Sequence, residues 1–174
     1  MFFDALADED IAMQGGATPL FAASKQGRQE VVGRLSDAGA DKDIALQGGA
    51  TPLFVASQQK HLDVLHVLSD AGADKDIAMQ GCTPLFVASQ QRHPEVVCLL
   101  FDAGADKDNA MRGDATSLLV ASQSGHLEVV CLLSDAGADK DIAMQGGATP
   151  WFIAYQSGPS RWSVCSLMQG PTRT

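Results

Sequence analysis

One short run of residues returns five times along this chain, and its spacing excludes most folds. Thr18-Pro19-Leu20-Phe21 recurs as Thr51-Pro52-Leu53-Phe54 and as Thr83-Pro84-Leu85-Phe86. It returns again as Thr116-Ser117-Leu118-Leu119 and as Thr149-Pro150-Trp151-Phe152. The steps are 33, 32, 33 and 33 residues. A second marker, Asp37-Ala38-Gly39-Ala40-Asp41-Lys42-Asp43, keeps the same beat from Asp70, Asp102 and Asp135. Two markers in phase establish an internal repeat. The short step has a visible origin. The second unit enters through Gln47-Gly48-Gly49-Ala50-Thr51, the third through only Gln80-Gly81-Cys82-Thr83. A residue is therefore missing from a turn and not from a helix. No unit of this length buries its own apolar face, so each must stack on its neighbours.

Local physics then fills in each unit. Thr before Pro starts a helix: the hydroxyl accepts from a free backbone N–H, and Pro fits the first helical position. The pattern predicts a short helix from Pro52 to about Gln59, with Ala56 small enough to admit a neighbouring helix. Gly27 and Gly125 close that helix in two units, while Lys60 and Arg92 hold the same place in two others. Those two turns either change shape or carry roughly 1 kcal/mol of backbone strain each. A second helix follows, with its buried stripe at Val96, Val97, Leu99 and Leu100 and again at Val129, Val130, Leu132 and Leu133. Pro94 marks its first turn, and Gly39, Gly72, Gly104 and Gly137 stop it. Ile44-Ala45-Leu46-Gln47-Gly48-Gly49 reads as an extended hairpin finger.

In order, Gly-x-Thr-Pro-Leu, Ala, Gly-His, Val-Val-x-Leu-Leu and Ala-Gly-Ala-Asp resemble the ankyrin-repeat signature. The fullest copy runs from Thr116 to Asp139, with Gly125-His126, Val129-Val130-Cys131-Leu132-Leu133 and Gly137-Ala138-Asp139. The resemblance covers about residues 16–158. It implies an all-α ankyrin-repeat solenoid of stacked helix-turn-helix units joined by β-hairpin-like fingers. Units are expected at 16–48, 49–80, 81–113 and 114–146. A clipped repeat end with its finger precedes them at 1–15, and a degenerate fifth repeat with a tail follows at 147–174. Two departures stand out. Phe21, Phe54, Phe86 and Phe152, with Leu119 once, stand where the family has His, so apolar packing is expected in place of a hydrogen bond between repeats. Met13, Leu46, Met79, Met111 and Met144 stand where the family has Asp, which leaves the fingers either looser or stacked through apolar contacts. Met1-Phe2-Phe3-Asp4-Ala5 aligns with the end of a second helix, so Phe2 and Phe3 are expected to cover part of an open end. Gly158-Pro159-Ser160-Arg161-Trp162 opens a fifth unit without the Val-Val-x-Leu-Leu stripe, as an imperfect cap or a tail.

Composition narrows the function. The net charge of -9 argues against nucleic acid and against anionic membranes, and makes basic proteins or peptides the natural partners. No run of about 18 apolar residues exists for a membrane span, and Met1–Asp10 has no signal-peptide pattern. Cys82, Cys98, Cys131 and Cys165 form no Cys-x-x-Cys pair, which argues against zinc and for a reduced cytoplasmic or nuclear setting. Cys98 and Cys131 read as small packing residues on adjacent second helices. The aspartates Asp41, Asp74, Asp106 and Asp139 read as solvated loop charge, with attraction of a basic partner as the alternative. Their spacing is not that of a calcium loop. His61, His93 and His126 sit in the Gly-His turn, which the resemblance makes structural. No catalytic, cofactor or metal site is expected, since every carboxylate of interest is copied around the array.

The resemblance implies partner binding on a concave side built from the fingers and the first helices. Carried over residue by residue, the exposed positions are Gln14, Lys25, Gln26, Gln47, Gln58, Gln59, Gln80, Gln90, Gln91, Arg112, Gln123, Ser124, Gln145 and Gln156. This set reads as a ladder of amides suited to hydrogen bonding. The leading reading is a non-enzymatic scaffold or adaptor for other proteins, monomeric unless its uncapped ends associate. Two others stand beside it: a targeting or regulatory module of a larger kinase or ubiquitin ligase, and a structural remnant with no partner.

Overall fold

The computed structural model describes residues 16–46, 48–110 and 114–156. Helices dominate them: α1 (Pro19–Lys25), α2 (Gln29–Ala38), α3 (Pro52–Gln59), α4 (Leu62–Asp70), α5 (Pro84–Gln90), α6 (Pro94–Asp102), α7 (Ser117–Ser124), α8 (Leu127–Asp135) and α9 (Pro150–Gln156). The first helices α1, α3, α5, α7 and α9 stack in one row, and the second helices α2, α4, α6 and α8 in another. This is the all-α repeat solenoid that the spacing demands. Residues 1–15 and 157–174, which carry the expected clipped repeat end and most of the fifth unit's remainder, lie outside the described residues.

Each first helix begins as its sequence requires. Thr18, Thr51, Thr83 and Thr116 are buried in extended backbone. Their hydroxyls accept from the N–H groups of Phe21, Phe54, Phe86 and Leu119 at 3.2, 3.2, 3.2 and 3.3 Å. Thr149 accepts from Phe152 N–H at 3.3 Å in the same way. Such a cap is worth about 1 kcal/mol. The α3 boundary falls at Gln59, where the pattern placed it.

The turn between paired helices keeps one shape throughout. Gly27 and Gly125 have φ of 69° and 70°, and Lys60 and Arg92 both have φ of 60°. Strain, not a changed turn, is therefore the price of the two non-glycine residues. Arg92→Gly is expected to stabilise the fold by about 0.5–1 kcal/mol, the left-handed penalty less the entropy of an added glycine. A urea titration with an unchanged slope and a higher midpoint is the expected readout. A lower midpoint would mean that the Arg92 side chain contributes more than its backbone loses.

A continuous core runs through the whole stack, from Leu20 and Val32 to Leu133 and Ala154. Leu53, Leu85 and Leu118 are wholly buried, as are Ala56, Ala88 and Ala121 where first helices meet. Of the expected stripes, Val96, Val97, Leu100, Val129, Val130 and Leu133 are buried. Leu99 and Leu132 are only half-buried and pack along the core's edge. At the last helix the pattern changes. Trp151 and Phe152 are 44% and 50% exposed, although Leu118 and Leu119, one unit earlier, are 0% and 1% exposed. Among the described residues, no helix follows α9 to cover them.

Candidate protein-interaction face

The fingers and first helices share a second apolar cluster. Phe21, Phe54, Val55, Val87 and Ala50 form it, with Ala17, Leu46, Met79 and Cys82 packed against it. Phe21 and Phe54, which stand where the family has histidine, thus pack as apolar groups as expected, and Phe86 is buried too, whereas Phe152 is 50% exposed. Leu46 and Met79 stack rather than leave their fingers loose, while Met13 and Met111 lie outside the described residues.

Finger geometry explains the missing residue. In the second unit, Leu46 N–H donates to Ala50 O at 2.9 Å and Gly49 N–H to Leu46 O at 2.8 Å. Met144, Gly147 and Ala148 repeat that arrangement at 3.1 and 2.8 Å. In the third unit Met79 and Cys82 exchange both bonds, each at 2.9 Å. Only Gln80 and Gly81 lie between them, at φ of 52° and 92°. Two central residues with positive φ are what a two-residue hairpin with the strands' own twist needs. The deletion therefore changes the class of turn and leaves the helices in register.

Stacking the first helices aligns their C-terminal ends. Lys25, Gln26, Gln59, Gln90, Gln91, Gln123, Ser124 and Gln156 are exposed there. Gln58 is half-buried, which corrects the expectation of full exposure. Gln80 and Gln145 are exposed on fingers, ahead of the N-caps. The candidates therefore form two rows at opposite ends of the first helices, roughly 10 Å apart by helix rise, and not one ladder. Gln14, Gln47 and Arg112 lie outside the described residues.

Polar bonds between units hold these layers. His61 Nε2–H donates to Lys25 O at 3.1 Å, and His126 Nε2–H to Gln90 O at 3.0 Å. His93 uses Nδ1–H and reaches Ser57 O at 3.3 Å. The Gly-His turn is thus structural, because each ring ties a second helix's start to the preceding unit. The aspartates do more than the sequence suggested. Asp74 N–H donates to Asp43 Oδ1 at 2.9 Å, Asp106 N–H to Asp76 Oδ1 at 3.0 Å, and Asp139 N–H to Asp108 Oδ1 at 2.7 Å. Within each unit, Asp43, Asp76, Asp108 and Asp141 donate their N–H to Asp41, Asp74, Asp106 and Asp139 at 2.8–3.0 Å. Asp41, Asp74, Asp106 and Asp139 are exposed, as solvated loop charge implies, and beside that they belong to a hydrogen-bond relay that runs from unit to unit. Burial raises the Asp76 pKa, the Asp106 N–H pulls it back, and the carboxylates of Asp106 and Asp74 raise it again. The regular Asp-Lys-Asp beat was the available signal for this relay.

Cys98 and Cys131 are half-buried thiols with no disulfide between them. Burial is the leading cause that pushes both upward. Among the described residues no His, Cys, Asp or Glu cluster could hold a metal ion, and no helix is long and apolar enough to cross a membrane. No curated protein sequence matches the chain. A family model for ankyrin repeats, three copies long, matches residues 2–79, 44–111 and 74–144. These overlapping matches span the helix pairs with their Thr caps and Asp relay, and the chain belongs to the ankyrin-repeat family.

Proposed function

We propose that the chain is a non-enzymatic adaptor that holds partner proteins on its finger and first-helix face. Ankyrin repeats are in general protein–protein interaction modules. The observation that carries the reading is the exposed row from Lys25 to Gln156, repeated layer by layer at the C-terminal ends of the stacked first helices. Amides both donate and accept, so such a row suits the backbone of an extended or helical segment. Few aromatic or arginine anchors lie on it, so affinity comes from many modest bonds. The net charge of -9 favours basic segments as partners. The half-buried, unbridged Cys98 and Cys131 fit a reduced cytoplasmic or nuclear setting.

The test replaces exposed amides only. Gln59→Glu/Gln90→Glu/Gln91→Glu/Gln123→Glu leaves the core untouched, whereas Gln58 is half-buried and would confuse binding with stability. Affinity capture from cell extract should lose its specific proteins by at least about tenfold, about 1.4 kcal/mol, with an unchanged helical spectrum. Unchanged capture of every partner would remove this face from consideration.

A further inference from the structure

The second-helix row carries a groove that the reading above does not use. It lies between α6 and α8 and has a volume of about 260 Å³. Val97, Cys98 and Phe101 line one wall, Leu132, Leu133 and Ala136 the other, and Asp102 and Asp135 stand at one end. Ligand pockets for whole small molecules run roughly 300–1,000 Å³, so this groove suits a single long side chain. Its walls are particular to this layer. Phe101 stands where the other second helices have Ser36, Ser69 and Ser134, and Cys98 where α4 has the larger His66. Among the described second helices, an aromatic wall and a small floor residue coincide in α6.

The charge at the groove's end is uncompensated. Asp102 and Asp135 are exposed, and each is the last residue of its helix, in a last turn with no basic residue. Neither α6 nor α8 carries a Lys or Arg anywhere. Among the described residues neither aspartate has an ion pair. The helix dipoles add partial negative charge at that same end, so both carboxylates sit where a helix tolerates them least. The field reaches the floor: burial first, then the carboxylates of Asp102, Glu128 and Glu95, push the Cys98 thiol upward.

We propose that this groove docks an arginine side chain of a partner protein, on the opposite row from the amide face. The guanidinium lies between Asp102 and Asp135, and the aliphatic stem runs along Phe101 and Leu132. Charge complementarity selects a cation, and the wall selects which one. A guanidinium is planar, weakly hydrated, stacks on an aromatic face and bridges carboxylates through paired donors. A lysine ammonium is compact and strongly hydrated, and gains less from Phe101.

Titration of the isotope-labelled full chain with a blocked Ala-Arg-Ala peptide, followed by amide NMR, tests the assignment. Saturable shifts centred on Cys98, Phe101, Asp102, Leu132, Asp135 and Ala136 are expected. The citrulline counterpart, which keeps the shape and removes the charge, should bind at least about tenfold more weakly, and the lysine counterpart measurably more weakly. Phe101→Ser installs the residue that three other units carry, so the fold persists, and binding should fall by at least about fivefold. Equal affinity for citrulline would overturn the proposal, as would shifts spread along the Asp41–Asp141 edge. No saturable shift up to roughly 10 mM peptide would also overturn it. Shifts that grow with protein concentration alone would assign the groove to a second copy of the chain and not to a partner. Loss of capture in the amide variant described above leaves this result untouched, so the two readings fail separately.

Discussion

Leu85→Ala is expected to destabilise the protein by about 2–5 kcal/mol, the range for a leucine truncated in a packed core. Leu85 is 0% exposed on α5, and α5 packs against both α3 and α7. A whole domain is stable by only about 5–15 kcal/mol, so this single change removes a large share. In a stack, stability is a sum of units and nearest-neighbour interfaces, and a weak central unit uncouples its flanks. Urea unfolding followed by circular dichroism should therefore show a lower midpoint and a broadened or split transition. A loss below about 1 kcal/mol would mean that the neighbours collapse into the space, contrary to a close-packed central layer.

Ala88→Leu tests the opposite limit. Ala88 is 0% exposed where α5 meets its neighbours, and Ala56 and Ala121 occupy the same place in adjacent units. Added methylenes there have nowhere to go, so the expected loss is about 1–3 kcal/mol or more. Ala22→Val is the control, since Ala22 is half-buried and the next three units carry Val55, Val87 and Val120 at that position. It should shift stability by no more than about 0.5 kcal/mol. Thermal unfolding of both variants checks the pair, and a neutral Ala88→Leu would contradict the close helix approach.

These predictions draw on features that the sequence already displayed. Thr-Pro marks a helix start by chemistry local to a few residues, and Gly39, Gly72, Gly104 and Gly137 all have positive φ, as helix stops require. The Asp relay was not legible in the same way. Asp43 and Asp74 lie 31 residues apart, and the bond between them has meaning only once layers are stacked at the observed spacing. Taken alone, each Asp is equally compatible with water. The arrangement of the amide candidates was hidden in a related manner. Gln80 and Gln90 are close in sequence, but one stands on the finger before α5 and the other ends α5, so similarity of type concealed separation in space. Gln58 is half-buried although Gln59 beside it is exposed, a difference that residue type does not reveal. The α6–α8 groove depends on two substitutions, Cys98 and Phe101, that look like minor drift in an alignment of the units.

The histidine and aspartate bonds together have a mechanical result. In the second layer His61 precedes α4 and Asp74 follows it, so the two attachments to the layer below are separated by a nine-residue helix, roughly 13 Å of rise. A plate pinned once can swivel; pinned at two distant points, it cannot. Greasy surfaces alone would let successive plates slide and yaw, since their attraction has no direction. Two clasps per plate set a constant pitch, so a guest that grips several plates meets a ruler of fixed graduations.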